Sequence, residues 1–158
     1  MHKDPEFADF PGRDRPGRIV ALDIGTKRCG VAISDELRIT VRPLVSLARS
    51  NWKRLLNDIS AIIADFDAAA LVLGLPIEND GSDSAMTADV RDLARKFSLS
   101  LTIPVLLQNE AYTTYEARGR IWHLDAPGDR DSVAAAVILE DLIDRLDLSL
   151  AGGREHDG

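Results

Sequence analysis

Three acidic residues, far apart in the chain, occupy positions from which a folded sheet could bring them together. Asp23 ends a short β-rich run, Glu110 follows another such run by two residues, and Asp131 opens a strongly apolar helical stretch. Functional groups gather where strands end and loops begin in sheets with helices on their faces. Each acid also has a structural interpretation, because Asp and Glu bind turn amides and cap helices.

A cluster of these three carboxylates would have a definite chemistry. Oxygen-only ligand sets suit Mg²⁺ or Mn²⁺. Two such ions, about 3.5–4 Å apart, can activate a water and stabilise the leaving oxygen of a phosphodiester. Asp23 would bridge both ions, while Glu110 and Asp131 would each favour one. The three histidines of the chain have no metal-ligand spacing, so the sequence predicts a carboxylate site for Mg²⁺ or Mn²⁺.

The elements that would position these acids form an ordered series. A short turn containing Gly25 joins the first two β-rich runs, which is typical of an antiparallel hairpin, and Pro43 predicts an edge position or a bulge for the third strand. Helices and strands then alternate, which predicts a mixed sheet with helices on its faces in a single α/β domain. The predicted strands are 18–23, 29–34, 40–47, 69–74 and 104–108, and the predicted helices are 52–65, 85–97, 114–122 and 131–146.

The length of 158 residues fits one domain. We expect a loose N-terminal arm over residues 1–16, a folded domain over 17–147 and a polar C-terminal tail over 148–158. One cysteine excludes a disulfide framework. No apolar run approaches the ~18 residues of a membrane span, and no signal-peptide core follows the first residues. The expected location is therefore the cytoplasm, with no membrane partner.

The charge is distributed unevenly along the chain. The whole protein carries −7, but residues 1–54 hold 11 Lys/Arg against 7 Asp/Glu, whereas the remainder is strongly acidic. A basic end can hold a phosphate backbone, although from charge alone solvated acidic helices are the favoured explanation of the overall balance. Lys27 and Arg28, in the hairpin turn beside Asp23, are well positioned to contact a phosphate.

At these residues the chain resembles the YqgF/RuvX family of Holliday-junction-resolvase-like proteins. Any one of the matching segments is a weak signal, but their order along the chain is specific. Together they span residues 18–146. The segments are Leu22-Asp23-Ile24-Gly25-Thr26-Lys27-Arg28 with Gly30-Val31-Ala32, Gly74-Leu75-Pro76 with Asp80-Gly81, Glu110 with Thr113-Thr114, and Asp131-Ser132 with Ala134-Ala135 and Ile138-Leu139.

The resemblance implies an RNase H-like fold, with a five-stranded mixed sheet flanked by helices. It also implies metal-dependent phosphodiester cleavage that matures the small-subunit (16S) ribosomal RNA precursor, with Holliday-junction resolution as the older alternative. Asp23, Glu110 and Asp131 would be the catalytic and metal-binding acids. Lys27, Arg28, Thr113 and Thr114 would contact nucleic acid. The expected partners are structured RNA or branched DNA and ribosomal particles, with the protein a monomer or a homodimer.

One segment departs from the family pattern. The usual Asp-Glu-Arg before the paired threonines is Asn109-Glu110-Ala111 here. Glu110 is retained, but the missing acid and arginine predict weakened activity, and they keep open a non-catalytic factor that binds nucleic acid or ribosomes. A third alternative is an ATP-handling protein, because Asp23-Ile24-Gly25-Thr26 before a hairpin also resembles the phosphate loop of actin-like and sugar-kinase domains. Those proteins need two such domains, and this chain supplies one.

Overall fold

The computed structural model describes residue 10 and residues 12–77, 80–110 and 129–156. In the last stretch, side chains are described for residues 131–146. The strands are β1 (Ile19–Ile24), β2 (Arg28–Ser34), β3 (Val41–Ala48), β4 (Ala70–Leu75) and β5 (Val105–Asn109), and the helices are α1 (Trp52–Phe66), α2 (Ala85–Ser100) and α3 (Asp129–His156).

The five strands form one mixed sheet in the order β3-β2-β1-β4-β5. The hairpin of β1 and β2 is antiparallel, as predicted, and so is the β2–β3 pair. β4 runs parallel to β1, and β5 runs parallel to β4. β3, which contains Pro43, is an edge strand, as its proline predicts. The α/β fold class with a five-stranded mixed sheet is confirmed.

Side chains alternate between two faces of the sheet, and each face packs on different helices. Val20, Leu22 and Ile24 of β1 belong to the larger core cluster, which also contains residues of α1 and α2. Ile19 and Ala21 face the other way and pack with residues of α3. Asp23 therefore lies on the α3 face, one residue before β1 ends.

The predicted bounds of the last helix need correction, and another predicted helix lies outside the described residues. α3 runs from Asp129 to His156, whereas the sequence predicts a helix over 131–146 and a tail after 147. Residues 146–151 contain good helix formers and no proline, and the two glycines that follow cost only about 1 kcal/mol each in a helix. The predicted helix over 114–122 lies outside the described residues.

No helix within the described ranges is long and apolar enough to cross a membrane. The predicted arm is described at residue 10 and over 12–16. Phe10 is buried in the α3-side cluster, and the guanidinium of Arg38 donates to the carbonyl oxygens of Gly12 and Arg13. This part of the arm is therefore attached to the domain. Residues 1–9 and 11 lie outside the description.

Candidate active site

Strand alternation brings two of the predicted acids to the same corner of the molecule. β1, β4 and β5 end at Ile24, Leu75 and Asn109, and we call this end of the sheet the carboxyl edge. Asp23 lies on its α3 face, and Glu110 directly follows β5. The two carboxyl groups share a side-chain hydrogen bond although 87 residues separate them in the chain.

The two acids are difficult to ionise together. Burial raises the pKa of Glu110 to about 7, and the charge of Asp23 and their hydrogen bond act in the same direction. Burial also raises the pKa of Asp23; the hydrogen bond with Glu110 opposes this increase, and the charge of Asp131 adds to it. Glu110 is therefore the hydrogen-bond donor when it is protonated, and the surroundings disfavour a second negative charge on the pair.

The charge of Asp131 affects the pKa of Asp23, but Asp131 does not form a metal-binding group with the other two acids. Across the described ranges, no three His, Cys, Asp or Glu side chains form a group that could hold a metal ion as they stand. The structure thus brings Asp23 and Glu110 into contact and leaves Asp131 beside them. The assignment of all three as metal ligands stays a prediction.

Asp131 is held beside the sheet by a close contact between α3 and β2. Gly30 is the β2 partner of Asp23, and a Cβ atom on Gly30 would overlap the carbonyl oxygen of Asp131. The buried hydroxyl of Ser132 accepts a hydrogen bond of 3.1 Å from the backbone N–H of Val31. The register of β2 against β3 is irregular between Cys29 and Val31, which accompanies this bond to α3.

A second glycine makes room for Glu110. Gly74 lies on β4, one residue beyond the Leu22–Leu73 pair, on the side of Asp23 opposite Gly30. A Cβ atom there would come within 2.6 Å of Oε1 of Glu110 and would also overlap the side chain of Ile138. A larger residue at this position would require the ends of both side chains to move, so the glycine leaves the space that the carboxyl group occupies beside Asp23.

The chain matches a known family over most of its length. The family model for RuvX, described as Holliday junction resolvase, covers residues 17–145. The chain belongs to the RuvX family.

Relatives agree with this assignment, and a solved structure shares the fold. A candidate pre-16S rRNA nuclease of Syntrophus aciditrophicus is 33% identical over 82% of this chain and 89% of its own length. Another, of Cereibacter sphaeroides, is 36% identical over 88% of this chain and 91% of its own length. Thermus thermophilus RuvC in complex with a Holliday junction substrate has a TM-score of 0.57 at 12% identity, covering 83% of this chain and 96% of that chain. This likeness shows the RNase H-like fold.

The predicted phosphate contacts of this RuvX-family chain lie on the same edge as the acids. The turn over residues 25–28 follows β1 and is closed by the N–H of Gly25, which donates to the carbonyl of Arg28 at 3.0 Å. Lys27 and Arg28 are exposed, and Arg28 donates to the hydroxyl of Ser46 at 3.2 Å. Thr113 and Thr114 lie outside the described residues, as does Ala111. Their roles stay predictions.

The sequence analysis did not predict the contacts of Gly30, Gly74 and Ser132, which hold Asp131 and Glu110 close to Asp23. The two glycines interrupt apolar strands, and a glycine inside a strand often marks a close approach by another part of the chain. That signal was present in the sequence, but it does not say which group approaches. Ser132 gave no signal of its own, because its partner Val31 is 101 residues away.

Proposed function

We propose that this protein is a nuclease that hydrolyses phosphodiester bonds in structured RNA, specifically in the precursor of 16S ribosomal RNA. Membership of the RuvX family and the names of the relatives support a nuclease and suggest this substrate. The observation that carries the proposal is the half-buried, hydrogen-bonded pair of Asp23 and Glu110 at the carboxyl edge. Buried acids with raised pKa values at a sheet edge are typical of functional sites.

The donor set at this edge fits a hard divalent cation such as Mg²⁺ or Mn²⁺. Asp23 and Glu110 offer only oxygen atoms, and their mutual repulsion favours a positive charge in place of the shared proton. These two residues would hold the ion, with Asp131 the third acid beside it. When bound, a divalent ion supplies Lewis-acid activation of water and of the scissile phosphate.

The residues themselves have separable tasks in this proposal. Asp23 and Glu110 must be ionised to act, and burial keeps their charges out of bulk water. Lys27 and Arg28 hold the phosphate backbone on the turn that follows Asp23. Asn109 and Ala111 remove the acid and the arginine that the family has around Glu110, so we include a weakened activity in the proposal. The substitutions Asn109→Asp and Ala111→Arg together would then raise the rate.

A nuclease assay tests the proposal directly. Purified protein is incubated with 16S rRNA precursor and with a four-way DNA junction, each in EDTA, Mg²⁺ and Mn²⁺. We expect cleavage of the RNA precursor that depends on the divalent ion. Preferential cleavage of the junction would instead support the resolvase alternative. RNA binding with no cleavage in either ion would support the non-catalytic factor.

Two aspartate variants assign any activity to the site. Asp23→Asn should lower the cleavage rate by roughly 10²- to 10³-fold or more while RNA binding persists. Asp92→Asn on α2 is the matched control, because it makes the same chemical change at a residue whose partners are Lys96 and Arg95. Cleavage by Asp23→Asn at the wild-type rate would remove Asp23 from the reaction.

A further inference from the structure

An arginine outside the predicted site links the turn after Asp23 to a helix on the other face of the sheet. Arg49 directly follows β3, and its backbone N–H donates to the carbonyl of Lys27 at 2.9 Å. Its guanidinium donates through Nη1 to the carbonyl of Gly25 at 2.9 Å. Arg49 therefore binds two carbonyl groups of the four-residue turn that presents Lys27 and Arg28.

The second nitrogen of the same guanidinium binds α2. Nη2 donates to the carboxylate of Asp89 at 2.7 Å, and the Arg49 side chain is 19% exposed. A planar guanidinium can bind two acceptors at once in a fixed geometry, which a lysine ammonium on its flexible stem cannot reproduce. The Asp89 side chain is 40% exposed, so the ion pair itself contributes little free energy, but its geometry connects the turn to α2.

The far end of this connection is itself held in place. α2 begins with a capping box formed by Ser84 and Thr87. Thr87 is fully buried, and its hydroxyl donates to the carbonyl of Pro76, directly after β4. Asp89 thus stands on the first turns of a helix that is attached to the end of β4, near Gly74. Both attachments lie at the carboxyl edge.

We propose that Arg49, held by Asp89, is a positioning residue that fixes the turn so that Lys27 and Arg28 meet the nucleic-acid backbone together. This inference rests on the proposed function, in which those two side chains contact RNA. Arg49 acts through the turn, since its Nη1 binds the carbonyl of Gly25 and its Nη2 binds Asp89. Loosening the turn would cost RNA affinity even though no phosphate contact is deleted.

The sign of one substitution separates positioning from simple electrostatics. Asp89→Ala removes a negative charge and releases Arg49, which by charge alone should tighten RNA binding. Positioning predicts the opposite, a dissociation constant about 3- to 10-fold higher than that of the wild type. Asp92→Ala is the matched control, with the same charge change on the same helix, and should leave affinity unchanged or slightly improved. Binding is measured in EDTA, so that cleavage does not contribute.

A double-mutant cycle tests whether the effect passes through Lys27. If Asp89 helps to position Lys27, then Lys27→Ala should weaken binding less in the Asp89→Ala background than in the wild type. The same cycle with Asp92→Ala should be additive. Additive losses in the Asp89 cycle, or tighter binding by Asp89→Ala, would overturn the inference while leaving the proposed function intact.

Limited trypsin digestion gives a readout that needs no RNA. Cleavage after Lys27 and Arg28 in the native protein should be faster in Asp89→Ala and in Arg49→Lys than in the wild type or Asp92→Ala. Equal rates in all four proteins would overturn the positioning role. If the wild type neither binds nor cuts RNA, the proposed function fails and so does the role in nucleic-acid contact, whereas the digestion still decides whether Arg49 orders the turn.

Discussion

The two ends of the central sheet both bury charge, but they do so in opposite ways. At the end where β1 begins and β2 finishes, which we call the amino edge, Arg38 is only 6% exposed. Its Nε donates to the carbonyl of Gly17 at 2.8 Å, and its Nη1 donates to the carbonyls of Gly12 and Arg13. The ring of Phe10 lies 5.5 Å from the guanidinium carbon.

The carboxyl edge instead collects groups of the same sign. Asp23 and Glu110 are joined by a hydrogen bond, with Asp131 nearby, and each of the first two has a raised pKa. At the amino edge burial lowers the pKa of Arg38, and the charge of Asp14 opposes that shift. The comparison separates structure from function. The carbonyl acceptors around Arg38 offset part of the cost of burying its charge, whereas like charges that are half-buried together destabilise the fold until a ligand of opposite charge binds.

The largest effect on stability should come from removing the Arg38 side chain at the amino edge. Arg38→Ala removes three hydrogen bonds from a charged donor and leaves three carbonyl groups without that partner, so we expect a loss of about 2–4 kcal/mol in the free energy of unfolding. Urea denaturation measures this loss. Arg15→Ala, in the same segment but exposed, should change stability by less than about 0.5 kcal/mol.

The cleavage rate of the same Arg38→Ala variant tests whether the amino edge and the carboxyl edge are independent. The two edges are separated by the length of β1, roughly 20 Å at the usual rise per residue. The cleavage rate of folded Arg38→Ala should therefore match that of the wild type below its unfolding transition. A large loss of rate in folded protein would mean that the two ends are not independent.

The carboxyl edge should respond to pH in the metal-free protein. The pKa of Glu110 rises from 4.5 in the unfolded chain to about 7 in the folded protein. Stability from this group is fully present below pH 4.5 and is lost as the pH rises through 7, because the folded state then loses a proton that it binds more tightly than the unfolded chain does. We expect the free energy of unfolding in EDTA to fall by on the order of 2 kcal/mol between pH 5 and pH 8.

Two changes, the substitution Glu110→Gln and the addition of Mn²⁺, should remove the dependence of stability on pH. Glu110→Gln cannot ionise and should flatten the profile, whereas Glu36→Gln, an exposed residue at the amino edge, should leave it unchanged. Mn²⁺ should restore stability at pH 8 if the cation replaces the shared proton. A wild-type profile in EDTA that is already flat would show that the two carboxyl groups do not interact as described.

The sequence was sufficient for features that depend on neighbours in the chain. Two β-rich runs on either side of the turn at Gly25 predicted the hairpin, and Pro43 predicted an edge strand or a bulge, because backbone chemistry acts locally. The rule that functional groups gather at strand ends selected Asp23 and Glu110, and both lie at the carboxyl edge.

Features that depend on distant parts of the chain could not be read in the same way. Nothing around Arg38 signals that it will be buried against carbonyl groups 21 to 26 residues earlier. The ion pair of Arg49 with Asp89 spans 40 residues, and the bond of Ser132 to Val31 spans 101. Such contacts are set when the N-terminal arm and the helices pack on the sheet, which the pattern of any one element does not encode.

The smallest expected effect on stability concerns the bond that holds Asp131 at the carboxyl edge. Ser132→Ala removes the acceptor of the buried Val31 N–H, and an unpaired buried donor costs roughly 1–2 kcal/mol. Ser100→Ala, at the exposed end of α2, removes a bond to the Lys96 carbonyl that water can replace, so its cost should be smaller.

The cleavage rate of Ser132→Ala tests whether Asp131 takes part in the site. If Asp131 takes part in the site, Ser132→Ala should lower that rate several-fold with RNA affinity unchanged. An unchanged rate despite the lost stability would place Asp131 with Arg38, among the residues that serve the fold alone.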